Sequence, residues 1–278
     1  MTSAHRPDGS SETIERALVD AASSALRGSD RRPVVLGLCG AQGSGKSTRT
    51  AAVIERLGTS GVSAVGLSLD DLYLPRARRL ELTRIHPLLR TRGVPGTHDA
   101  RLGIALLQQL GARAPVALPA FDKAIDDRAP ADQWNVVSAP VEVVVFEGWC
   151  VGARPQREAE LREPVNALER EQDGDGRWRR WVNAQLARDY QALFGRIDIL
   201  ALLAAPSFSV VAAWRRQQEH DLRRKLEALG GPAARTMTDV EIDEFVQHYQ
   251  RLTEHILRDT PSRADLVFRL DEQRRLRA

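Results

Sequence analysis

Eight consecutive residues, Gly40-Ala41-Gln42-Gly43-Ser44-Gly45-Lys46-Ser47, carry the spacing G-x-x-x-x-G-K-[ST]. Glycines so placed let a backbone curl tightly and aim successive N–H groups at one point, which suits an anion. A lysine and a hydroxyl at the end of the loop add a mobile positive charge and a hard oxygen ligand. That combination suits a polyphosphate and its magnesium ion. Gly40, Gln42, Gly43, Ser44, Gly45, Lys46, Ser47 and Thr48 are therefore the expected nucleotide-binding residues. Lys46 is expected to act on the β- and γ-phosphates, and Ser47 to ligate the metal. The expected cofactor is Mg2+ with ATP.

Two acidic positions follow apolar runs. Ser68-Leu69-Asp70-Asp71-Leu72-Tyr73 closes the run from Val62 to Leu69, and Phe146-Glu147-Gly148-Trp149 closes the run from Val141 to Phe146. In open α/β sheets ligands bind at the carboxyl ends of strands. An aspartate there can accept or orient a hydroxyl facing a γ-phosphate. Asp70 and Asp71 are both candidates, and the alternative is that both merely cap the next helix. Glu147 can hold magnesium directly or through water, or else serve as a cap or an exposed acid. No Asn-Lys pair is present to read guanine, and no Leu-Ser-Gly-Gly-Gln signature of transporter ATPases occurs. These absences point to a small-molecule kinase.

The elements that must position these residues are legible in outline. Val34 to Cys39 reads as a buried strand, the glycine-rich loop follows, and a helix runs from Lys46 to Leu57 before Gly58 and Gly61 break it. With the strand from Val62 this is a βαβ unit, so the sheet is parallel. The expected class is α/β, a three-layer P-loop NTPase fold with a mainly parallel sheet and C-terminal helical additions. Ser11 is placed to cap a helix to Leu26, and Thr97 or Asp99 one to Leu110. Helices are expected over Arg76 to Leu89, Trp178 to Phe194, Ser207 to Leu229 and Asp239 to Leu257. Further strands are expected at Ile197 to Leu203 and Leu266 to Leu270. Residues 1–10 are expected to be a disordered tail and 11–278 one domain, with 153–176 a surface insertion.

The 278 residues are 42% hydrophobic, enough for a sizeable core, and the net charge of +3 implies no nucleic-acid groove. Of 40 basic residues only Lys46, Lys123 and Lys225 are lysines. A lysine retained among so many arginines suggests a position where a compact point charge is needed. Cys39 and Cys150 are expected to be buried, reduced thiols; a sharper alternative puts both near the nucleotide, open to inhibitory oxidation. No signal-like segment and no stretch of about 18 apolar residues occurs. A soluble cytoplasmic protein with no membrane partner is expected.

The loop, the Asp70 segment and the Glu147 segment together resemble the uridine kinase, pantothenate kinase and phosphoribulokinase group of P-loop kinases. Arg92-Gly93-Val94-Pro95-Gly96-Thr97-His98-Asp99, Pro119-Ala120-Phe121-Asp122-Lys123, Asp127-Arg128, Phe146 to Gly152, and Met237 to Tyr249 are similar to D-glycerate 3-kinases of the plant and fungal type and their bacterial relatives. The resemblance implies transfer of phosphate from ATP to D-glycerate, giving 3-phosphoglycerate. Asp70 then matches the base position and Glu147 the magnesium-associated acid. Lys123 and Arg128, or instead Arg92, would hold the carboxylate of a small anionic substrate. Tyr73, His98 and Asp99 would meet its hydroxyls, unless Asp99 only caps its helix and His98 only satisfies a turn. In related kinases a helical lid covers the phosphates, which the resemblance places at about 207–229 here, around Trp214 to Arg224. Arg215 and Arg216 are the catalytic candidates there, with a solvated helix face as the alternative. Another hydroxylated acceptor (a nucleoside, pantothenate or a sugar acid) and an ATP-binding regulator are the competing functions.

Overall fold

The structure is a computed structural model that describes residues 9–228 and 236–277. Residues 1–8 of the expected tail and Leu229 of the expected lid lie outside the described residues. The chain opens with α1 (Gly9–Gly28), so the last two residues of the expected tail are helical. It continues through β1 (Val34–Gly40), α2 (Lys46–Thr59), β2 (Ala64–Ser68), α3 (Arg76–Leu82) and α4 (Ala100–Leu110). Four short strands follow: β3 (Val116–Leu118), β4 (Phe121–Asp122), β5 (Asp127–Arg128) and β6 (Asn135–Val137). Then come β7 (Val143–Gly148), α5 (Ala167–Gln172), α6 (Arg177–Gln185), α7 (Gln191–Phe194), β8 (Ile199–Ala204), α8 (Phe208–Ala228), α9 (Asp239–Asp259) and β9 (Leu266–Arg269).

Five strands form one parallel sheet in the order β2-β7-β1-β8-β9. β1, β7 and β8 are buried at every position, because helices cover both faces of a parallel sheet. Alternation sorts their side chains. Val34, Leu36 and Leu38 join Val143 and Val145 against Ile14, Leu18, Val53 and Leu57 of α1 and α2. Val35, Cys39, Val144 and Phe146 face the other way, against Leu106, Leu193, Leu252 and Ile256 of α4, α7 and α9. The register sets Cys39 beside Gly148 and Gly40 beside Leu203, so the glycine-rich loop leaves the carboxyl edge in line with the end of β7. Among the described residues no helix is long and apolar enough to cross a membrane.

Three local expectations differ from what forms. The helix read over Arg76 to Leu89 stops at Leu82, and a 3₁₀ turn, Pro87–Arg90, follows under a His86 cap. Pro87 has no N–H to continue a helix and disfavours helical backbone in the residue before it. The helix read over Trp178 to Phe194 is interrupted by a π-helical segment, Leu186–Tyr190, with Arg188 at φ −105° and ψ −118°. The third is the expected surface insertion at 153–176, which is packed in place. Leu161, Glu169 and Asp173 are all buried, and the two acids are answered by arginines outside the segment. Arg251 of α9 donates to both Glu169 carboxylate oxygens and to the carbonyls of Glu160 and Glu163, while Arg179 pairs with Asp173 at 2.9 Å. Composition marked the segment as polar; the partners that let it be buried lie elsewhere in the chain.

Removing one partner of such a pair strands a buried charge. Arg251→Ala is expected to lower unfolding stability by about 3–5 kcal/mol. Urea denaturation followed by circular dichroism measures this, and a loss under about 1 kcal/mol, the range of an exposed pair, would show that α9 does not depend on the contact.

Candidate active site

The loop between β1 and α2 is built to leave donors unspent. Gly45, at φ 87°, is the N-cap of α2 and supplies no side-chain cap, and no acid occupies the first turn. The first N–H groups of α2 and the helix dipole therefore favour an anion. Gly43 is left-handed too, at φ 74°, and a Cβ there would stand 2.7 Å from the Cβ of Trp214. α8 thus lies directly on the loop. The Ser44 side chain is fully buried, and its hydroxyl would be 2.7 Å from a Cβ on Gly40, so Ser44 serves the loop through its backbone. Lys46 Nζ folds back to the Ala41 carbonyl at 3.1 Å.

Glu147, at the end of β7, accepts from Ser47 Oγ at 2.9 Å and from Ser68 Oγ at 3.2 Å, both on one carboxylate oxygen. Asp70 lies in a 3₁₀ turn, Leu69–Leu72, capped by Ser68. Its carboxylate accepts from Lys123 Nζ at 2.7 Å and from the Tyr73 hydroxyl at 3.0 Å. Burial works against its charge, but the adjacent Lys123 ammonium outweighs it and holds Asp70 below the usual carboxylate range. Asp71 points elsewhere, accepting from the Phe121 N–H at 3.1 Å, and burial raises its carboxyl. Neither aspartate's side chain caps a helix.

A cleft of about 380 Å³ joins these groups, lined among others by Lys46, Ser47, Asp70, Arg92, Lys123 and Glu147. Tyr73 also reaches it. Arg215 does so from α8, paired with Glu219 at 2.7 Å. Arg216 does not: it turns to Asp243 of α9, on a different face of α8. Arg92 pairs with Asp126 and lies 5.5 Å from the Phe121 ring centroid.

Three expected substrate residues stand behind the cleft instead of lining it. His98 stacks on Tyr73 at 4.4 Å and its Nδ1 meets the Tyr190 hydroxyl at 2.6 Å. Burial pushes its imidazole down to about 3, so it carries no charge at neutral pH. Asp99 caps α4 by accepting from the Leu102 N–H at 3.0 Å. Arg128 donates to the Tyr73 carbonyl at 2.9 Å and stands 3.9 Å from Asp99. Together they fix Tyr73, whose hydroxyl in turn orients Asp70.

Two further contributors, Arg49 and Arg274, carry no readable local signal. Arg49 donates to the Ser44 carbonyl at 3.2 Å, and Arg274, near the end of the described chain, donates to the Gly43 carbonyl. Trp149, Phe245 and Tyr249 form the apolar wall. Of these, only the segments holding Trp149, Phe245 and Tyr249 stood out in the sequence, through the family resemblance.

Cys39 and Cys150 are fully buried. Burial pushes the Cys39 thiol up to about 12 and the Cys150 thiol upward as well. Oxidation acts on thiolates that solvent can reach, so the reading of these cysteines as redox-sensitive is not supported. Both are expected to resist iodoacetamide at pH 8 in the native protein and to react in urea. Mass spectrometry reads the outcome, and rapid native alkylation would contradict their burial.

No family model matches the chain. An uncharacterized kinase of Schizosaccharomyces pombe is 37% identical over 228 residues, 78% of this chain and 79% of that protein. The chloroplastic D-glycerate 3-kinase of Arabidopsis thaliana is 30% identical over 233 residues, which is 80% of this chain but 47% of the plant protein. The solved D-glycerate 3-kinase of Cryptococcus neoformans var. grubii superposes with a TM-score of 0.78 at 25% identity, covering 98% of this chain and 99% of that one. With its phosphate cradle and acidic strand ends in one cleft, the chain belongs to the family of ATP-dependent P-loop kinases that includes the D-glycerate 3-kinases.

Proposed function

We propose that this kinase transfers the γ-phosphoryl group of ATP to the 3-hydroxyl of D-glycerate, giving 3-phosphoglycerate and ADP. The observation that carries this reading is Asp70. Its carboxylate is kept ionised by Lys123 and opens into the same cleft as Lys46. Arg92, Lys123 and Arg215 surround it with positive charge, which suits an acceptor that is itself an anion.

Magnesium fits the residues present. Ser47 and Glu147 offer hard oxygens 2.9 Å apart, and no group of three metal-ligating side chains surrounds them among the described residues. That is the pattern of an ion held mainly by water and phosphate. Bound there, it would neutralise charge on the phosphates.

The remaining work falls to this chain. Loop N–H groups and Lys46 hold the triphosphate. Asp70 aligns the acceptor hydroxyl and takes its proton as the new oxygen–phosphorus bond forms and the β–γ bridge breaks. Tyr73 keeps the carboxylate aimed. Arg215 faces the transferring group, where a cation stabilises charge as it spreads. α8 acts as the lid, in a single kinase domain working in the cytoplasm without nucleic-acid or membrane partners. Arg216, turned to Asp243, is dropped from the catalytic set.

Asp70→Asn is expected to lower kcat by on the order of 10²–10⁴ while leaving the KM for ATP within a few-fold. Turnover near wild type would remove Asp70 from the role of base. In Lys123→Met the cation that lowers the Asp70 pKa is gone, so the acid limb of kcat/KM should move to higher pH; an unmoved limb would assign it to another group. A coupled ADP assay over D-glycerate, uridine, pantothenate and sugar acids tests the acceptor. Activity on uridine with none on glycerate would overturn the substrate assignment.

A further inference from the structure

A second cavity of about 500 Å³ adjoins the catalytic cleft. Arg92, Lys123 and Arg215 line both spaces, and Arg76, Arg79 and Arg90 line only the second. Against these six cations the second cavity shows two acids, Asp126 and Glu219. Asp126 is already shared by Arg79 and Arg92, and Glu219 is taken by Arg215. Lys123 is engaged by Asp70. Arg76 and Arg90 make no side-chain hydrogen bond or ion pair among the described residues.

The buried Arg79, Arg179 and Arg251 are each answered by a carboxylate, whereas Arg76 and Arg90 are exposed and present their guanidinium groups at the cavity's open side. With Asp70 set against Lys123, three positive charges remain in excess, more than a single carboxylate would need. Planar guanidinium forks suit phosphate oxygens, which accept two parallel N–H bonds. We infer that this cavity is a second anion site for a small phosphorylated carboxylic acid, bound by Arg76 and Arg90 and reaching the shared cations Arg92 and Lys123. An occupant there draws on the charge that the acceptor needs. It therefore inhibits in competition with the acceptor and not with ATP. The ligand class is that of the proposed product and the competition is with the proposed acceptor, and in those two respects the inference rests on the proposed function.

The test titrates the full chain, saturated with Mg2+ and ADP so that the phosphate loop is filled. Isothermal calorimetry is run with 3-phosphoglycerate in one arm and inorganic phosphate in the other. The phosphorylated acid is expected to bind the more tightly. Arg76→Ala/Arg90→Ala should weaken it about tenfold or more, since each charge-assisted bond to phosphate is lost. The affinity for ADP and the KM for glycerate should stay within about twofold, as for surface substitutions away from those contacts. No binding by wild type, or unchanged binding by the double variant, would overturn the site. Equal affinity for inorganic phosphate would overturn the assigned ligand class. Calorimetry needs no turnover, so an enzyme that binds the acid yet ignores glycerate would refute the acceptor alone.

Discussion

One carboxylate oxygen ties the donor half of the site together. Glu147 ends the strand between β1 and β2, and its Oε1 accepts from Ser47 at the start of α2 and from Ser68 at the end of β2. Three segments that leave the sheet separately are thereby held at one point. The constraint matters because the loop before Ser47 must keep its N–H groups unpaired yet enclosed, which backbone normally avoids. Parallel strands solve the problem by ending together on one edge, where a βα turn can present donors without burying them. α8 completes the enclosure through Trp214 packed on Gly43, and Arg274 closes it from the C-terminal side.

The proposed acceptor half follows a different logic. Its working groups are few, and a buried layer behind them fixes their direction. Tyr73 lies between the His98 ring and the edge of Phe121, and Arg128 holds its carbonyl. His98 is useful there because it is uncharged: a neutral ring can stack in a dry site where a cation would need a partner. Lys123 couples the halves. It keeps Asp70 ionised at one wall while adding positive charge to the other. A flexible, compact ammonium can serve both demands, whereas a planar fork would commit to one geometry.

Charge pairing also governs how this arginine-rich chain folds. Arg179 with Asp173 and Arg251 with Glu169 are almost wholly enclosed, and each arginine spends its remaining donors on backbone carbonyls. This is the condition under which buried ions persist. It explains why residues 153–176 pack against α9 despite a composition that reads as surface.

By itself the sequence determined the donor half. The loop from Gly40 to Ser47 is contiguous, and its chemistry depends on backbone geometry that glycine spacing encodes locally. Val34 to Cys39 and Val141 to Phe146 read as buried strands and both lie in the parallel sheet, the second forming from Val143, and Asp70 and Glu147 stood out as candidates because strand ends in such sheets meet ligands. Tertiary structure decided which neighbours of those residues touch the cleft. His98, Asp99 and Arg128 sit in a motif beside the site, yet they support Tyr73 from behind. Arg215 and Arg216 are adjacent, and helical rotation sends one into the cleft and the other to Asp243. Arg274 reaches the loop from 231 positions away. The direction of a side chain and the partner that neutralises it are properties of contacts between distant segments, and only the folded chain brings those segments together.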